Sequence, residues 1–120
     1  MGGTNTPATD VTILDGVLYA SIYFETSTPT ARIDAFDPNN ISVGPIDTFG
    51  SYSSEPIIDQ FFGPHNFLAT MNNKLTVMDF DSFNGMGSRL VSFNDIQGTG
   101  WRPFGSSGSS VNMFMFYQPQ

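Results

Sequence analysis

The sequence predicts an all-β domain of antiparallel strands, and three observations carry that reading. Residues 66–81 place two apolar, β-prone runs on either side of Asn72-Asn73. Asn tolerates the positive φ of a tight hairpin turn. On the second arm Leu75, Val77 and Asp79 fall on one face and Thr76, Met78 and Phe80 on the other, the period of a strand. A second hairpin signal, Asp15-Gly16, separates the apolar runs 11–14 and 17–24. The composition agrees: 12 Phe supply sheet-packing aromatics, while 12 Gly and 8 Pro punctuate the chain with turns.

Taken in order, residues 1–10 show no pattern and read as a flexible leader, and residues 11–120 as a single β domain. Strands are expected at 11–14, 17–24 and 31–36, with a polar loop at 25–30. The turn Asp37-Pro38-Asn39-Asn40 leads to a weaker strand within 41–49, which Pro45 restricts to a sheet edge or a bulge. Residues 54–64 carry the punctuation of a short helix, with Ser54 ahead, Pro56 near the start and Gly63-Pro64 beyond; an extended strand fits as well. After the 66–81 hairpin come a loop at 82–88, a strand at 89–93 and a loop at 94–100. Trp101-Arg102-Pro103-Phe104 is aromatic and irregular, 105–110 is a Gly/Ser linker, and 111–117 is a last strand, apolar on both faces.

At 120 residues the chain is one domain at most, large enough to bury a core. Four Lys and Arg against eleven Asp and Glu give a net charge of −7, which repels phosphate; no basic footprint is present, so nucleic-acid binding is set aside. The absence of Cys removes disulfides, thiol catalysis and thiolate metal sites together. No run of 18 apolar residues occurs, so no membrane-spanning helix is expected. The first residues lack the basic and apolar regions of a signal peptide.

An internal repeat emerges when the chain is shifted by 44 residues. Phe36-Asp37 then falls on Phe80-Asp81, Asn40 on Asn84, Ile46 on Leu90 and Phe49 on Phe93. With a few residues allowed for a longer loop, Leu18-Tyr19-Ala20 falls on Phe67-Leu68-Ala69, and 113–117 opens a third unit. The units span about 11–56, 57–104 and 111–117. The pieces Asp-Gly-Val-Leu-Tyr-Ala (15–20), Ala-Arg-Ile-Asp-Ala-Phe-Asp-Pro-Asn (31–39) and Asn-Lys-Leu-Thr-Val-Met-Asp-Phe-Asp (73–81) resemble blade strands of kelch-type and quinoprotein-type β-propellers. Neither a Trp-Asp dipeptide nor a kelch Gly-Gly signature is present. The resemblance implies about two and a half propeller-like blades; a β-sandwich is the alternative. A closed propeller needs about four to eight blades, so the chain would have to be completed by copies of itself, by a partner or by a longer polypeptide.

Candidate chemistry is sparse. His65 is the sole histidine; with Asp59, Ser53 and Ser54 nearby in sequence it could enter a triad, but no nucleophile-elbow pattern accompanies it. Asp79, Asp81 and Asn84 could offer oxygen ligands to Ca²⁺, although the spacing fails the EF-hand pattern and suits a self-capping turn; no other cofactor is implied. Trp101, Arg102 and Tyr52 could form a sugar-stacking or partner-binding patch, against the plainer reading of Trp101 as a core aromatic. Met113, Phe114, Met115, Phe116 and Tyr117 form an apolar strand expected to be an interface, since such a strand invites pairing.

The expectation is therefore a non-enzymatic binding or structural module, acidic, and placed outside the cell, on a cell surface or on a virus particle. It would complete its β architecture by self-assembly as a homo-oligomer or on a protein partner. A carbohydrate-binding module and an excerpt of a propeller enzyme are the alternatives.

Overall fold

The structure, a computed structural model, describes residues 8–24, 26–54, 57–67, 74–81 and 87–104. The regular structure of the described residues is almost entirely antiparallel β-sheet, as expected. The first sheet is a meander of β1 (Ala8–Leu14), β2 (Val17–Phe24), β3 (Thr30–Phe36) and β4 (Asp47–Phe49), adjacent in that order. A short parallel pair follows, β5 (Ser51–Tyr52) with β6 (Gln60–Phe61). The second sheet is a meander of β7 (Pro64–Phe67), β8 (Leu75–Asp81), β9 (Gly87–Phe93) and β10 (Arg102–Phe104). Neither sheet closes on itself.

Local sequence explains most boundaries. Asp15 and Gly16 adopt φ of 52° and 77°, the two positive values a type I′ hairpin demands, and Leu14 then opposes Val17. β1 starts at Ala8, inside the stretch read as leader, because the side chains of Thr9 and Asp10 are anchored to β2 and β7. Between β3 and β4, Asp37 Oδ1 accepts the Asn39 N–H at 2.9 Å and a 3-10 turn follows at Ile41–Val43. β4 lies at the sheet edge, the place its neighbour Pro45 allows.

The described part of 54–64 is not helical: residues 57–60 form a turn closed by the Gln60 N–H on the Ile57 carbonyl at 3.2 Å, Asp59 takes φ of 62°, outside right-handed helical space, and β6 begins one residue later. Residues 102–104, expected to be irregular, form edge strand β10, where Pro103 forfeits no internal ladder bond. The arms of the 66–81 hairpin pair antiparallel, with Pro64 opposite Asp79 and Phe67 opposite Val77. Its turn residues Asn72-Asn73 lie outside the described residues, as does the 111–117 strand.

The two sheets pack face to face. Tyr19, Tyr23, Ile33 and Ala35 of the first meet Leu75, Val77, Val91 and Phe93 of the second, with Phe49 and Phe61 between them. Trp101 joins this cluster, its ring centroid 5.4 Å from Phe61 and 5.9 Å from Phe49 in edge-on contact. Each fully buried Phe contributes on the order of 1.5–3 kcal/mol, so this aromatic knot is the main adhesive between the sheets. The 44-residue shift superposes β3 on β8 and β4 on β9. These are third and fourth in one sheet but second and third in the other, so the sequence repeat is offset by one strand from the sheet order.

Candidate functional site

Residues directly opposed in an antiparallel ladder share a face, so the register assigns every side chain to the inside or the outside. On the first sheet's outer face Val11 opposes Ala20, Ile13 opposes Leu18, and Leu18 opposes Phe36. Ala20, Ile22 and Phe36 form a second apolar cluster separate from the inter-sheet core, with Leu18 packed against it. Val11, Ile13 and Phe24 on the same face are 54%, 60% and 43% exposed. The second sheet repeats the pattern: Met78 opposes Leu90, Leu90 opposes Phe104, and Phe80 lies on the same side. Phe104 and Phe80 are 47% and 36% exposed. Each outer face thus mixes large apolar side chains with polar ones, Arg32 and Asp34 on the first sheet and Thr76, Ser92 and Arg102 on the second, whereas a two-sheet sandwich in water carries mainly polar outer faces.

Inside, the Leu75–Val77 face continues to Asp79, and the ladder places Arg89 directly opposite. Arg89 Nε donates to Asp79 Oδ2 at 2.8 Å, and the Gly63 N–H donates to Oδ1 at 2.8 Å. Arg89 Nη2 also donates to the Gln60 carbonyl at 2.8 Å, and its guanidinium lies 4.3 Å from the Phe62 ring centroid. Both charged groups are buried. Burial pushes the Asp79 carboxyl above its ordinary value, and the Gly63 N–H, the Arg89 charge and its hydrogen bond pull it back only in part. Gly63 must be glycine here, because a Cβ would sit 2.7 Å from the Phe80 carbonyl oxygen and 2.9 Å from the Tyr23 ring.

A polar seam joins the sheets along β7. Thr9 Oγ1 donates to the Pro64 carbonyl at 2.8 Å, Ser21 Oγ to the His65 carbonyl at 2.9 Å, and the Phe67 N–H to Asp10 Oδ2 at 2.9 Å. Side chains of β1 and β2 thereby satisfy backbone groups that an edge strand would otherwise leave open.

The residues singled out from sequence are distributed across this frame. His65 is half-buried between Tyr23 and Phe80, and its Nδ1 donates to the Gly63 carbonyl at 2.7 Å. Among the described residues no hydroxyl or carboxylate is hydrogen-bonded to that ring, and Asp59 is exposed on its own turn. Asp79 is engaged by Arg89 and Gly63; the Asp81 side chain and Asn84 lie outside the described residues. No group of three acidic or histidine side chains suited to a metal occurs among the described residues. Trp101 stacks on Phe93 at 18°, half-buried against the core, and Tyr52 packs against the same cluster. Arg102 is exposed, and its partner in the ladder, Ser92, places it on the second sheet's outer side. Met113, Phe114, Met115, Phe116 and Tyr117 lie outside the described residues. No helix among the described residues is long and apolar enough to cross a membrane.

Sequence reasoning missed the Asp79–Arg89 pair, although a signal existed: an acid on the apolar face of a strand needs a buried partner. Comparison with protein-family models, with curated proteins and with solved structures finds no match to this chain.

Proposed function

We propose that the chain is a non-enzymatic β module that completes its architecture by packing against further protein, whether copies of itself, a partner or a longer polypeptide. One observation supports this above all: each four-stranded sheet carries large exposed apolar side chains on the side turned away from the other. Val11, Ile13 and Phe24 present large exposed side chains on one flank, Phe80 and Phe104 on the other. Ala20, Ile22 and Phe36 of the first face are already covered, but large apolar side chains left in water beside them are the kind of surface that interaction sites use. A blade of a propeller has this two-faced character, since it packs against a neighbour on each side, and on this reading each meander is one propeller-like blade. On the same reading the chain works outside the cell or on a particle, and its net charge of −7 favours apolar over electrostatic docking.

Light scattering on the purified chain tests the proposal. A particle heavier than 13.1 kDa is expected, shrinking to one chain when Val11→Glu and Ile13→Glu are combined. A well-behaved wild-type monomer that captures nothing through this face would sink it.

A further inference from the structure

We propose that Asn40 is an acceptor for an N-linked oligosaccharide, a reading that rests on the extracellular placement proposed above. Asn40-Ile41-Ser42 is an Asn-x-Ser triplet with a non-proline centre, and no other Asn in the chain has Ser or Thr two places on. The fold places Asn40 at the start of the 3-10 turn and Ile41 and Ser42 within it, all three exposed. Asn40 has φ of −150° and ψ of 56°, and its side chain makes no capping bond. Ser42 Oγ lies 3.4 Å from Asn40 Oδ1 as donor, which turns the hydroxyl toward the carboxamide oxygen and leaves Nδ2 without a hydrogen bond among the described residues.

The loop's shape is held by its backbone, through Asn40 N–H to the Asp37 carbonyl at 3.0 Å and Gly44 N–H to the Ile41 carbonyl at 3.0 Å. Loading Nδ2 therefore breaks no bond that the fold uses. The neighbours Ile41 and Val43 are large exposed aliphatic residues, and a sugar chain rooted at Asn40 would shield them from water. In the transfer, Nδ2 attacks the anomeric carbon of an oligosaccharide carried on a polyprenyl diphosphate. The N–C bond forms, the sugar–phosphate C–O bond breaks, the lipid diphosphate leaves, and the Nδ2 proton passes to a base of the transferase.

The test expresses the full chain behind a cleavable export signal in a glycosylating eukaryotic cell and measures intact mass. Pro7→Thr supplies a positive control, since it creates an Asn5-Thr6-Thr triplet in the leader. The expected result is one oligosaccharide on the wild-type chain, retained in Ser42→Thr, lost in Asn40→Gln and in Ser42→Ala, and doubled in Pro7→Thr. A leader glycan on the Pro7→Thr chain with Asn40 bare would overturn the acceptor proposal and leave the extracellular reading standing.

Discussion

Two arginine–aspartate pairs, one on each sheet, show how location sets the worth of identical chemistry. Arg32 and Asp34 sit two residues apart on the first sheet's outer face, joined at 2.7 Å (Nε to Oδ1) and 3.2 Å (Nη2 to Oδ2). The Asp34 side chain is covered, but Arg32 keeps 32% of its side chain in water. Arg89 and Asp79 face each other across β8 and β9 between the sheets, and water reaches neither. In the first pair Arg32 can lose Asp34 and still find solvent, whereas Asp34 without Arg32 is left covered. In the second, each charge depends on the other and on fixed backbone groups of Gly63 and Gln60. Breaking a buried pair strands a charge; breaking a half-exposed pair does so only when the covered partner is the one left behind.

The sharpest way to expose that difference is Asp79→Asn, which should cost about 3–5 kcal/mol of unfolding free energy because Arg89 stays buried without a counter-charge. Urea unfolding measures it, and the double replacement Asp79→Leu with Arg89→Met should recover most of the loss. A cost below that of the outer pair would refute the contrast. Next in size, Arg32→Ala leaves Asp34 covered and unpaired, for an expected loss of about 1.5–3 kcal/mol. Its mirror, Asp34→Ala, leaves an arginine that reaches water and should cost about 1 kcal/mol or less. Equal losses from these two single changes would mean that solvent access does not decide the matter.

The smallest expected effect lies in the β9–β10 loop, where the Asp95 carboxylate is exposed enough for screening to dominate. The Thr99 hydroxyl bonds to Asp95 Oδ2 at 2.6 Å, and the N–H groups of Thr99 and Gln97 bond to Oδ1. These bonds, the Thr99 hydroxyl first, hold the carboxyl below 3.8. Its folded pKa is depressed, so the stability it lends is present above 3.8 and is lost as pH falls through the lower folded value. Carboxyl NMR titration should show Thr99→Val moving Asp95 back up toward 3.8, while the Asp79 resonance stays where it was.

Much of the sheet architecture was legible because short-range rules govern it. Asp15-Gly16 could hardly be anything but a tight turn, and the alternation from Leu75 to Phe80 specified a strand. The same alternation placed Asp79 among apolar neighbours, which signalled a buried partner without naming it. With a loop read as 82–88, Arg89 would oppose Asp81; the connection between β8 and β9 is shorter, and Arg89 opposes Asp79. Residues 8–10 looked unstructured because their ordering comes from hydrogen bonds to Ser21 and to β7, more than 50 positions away for Thr9 with Pro64 and Asp10 with Phe67. Trp101 was read two ways since an aromatic ring has the same sequence signature in a core as on a binding patch; only its stacking on Phe93 shows where it lies.

Read alone, the chain determined its turns, its strand faces and its acidic, cysteine-free character, since each follows from a residue's own backbone preference or from period-two alternation among neighbours. Tertiary structure decided which face met which: that the two sheets share one aromatic core, that Asp79 and Arg89 are locked together inside it, and that apolar flanks remain on both outer sides. Contacts between distant segments depend on register and loop closure. Those quantities are properties of the whole folded chain, and no local stretch encodes them.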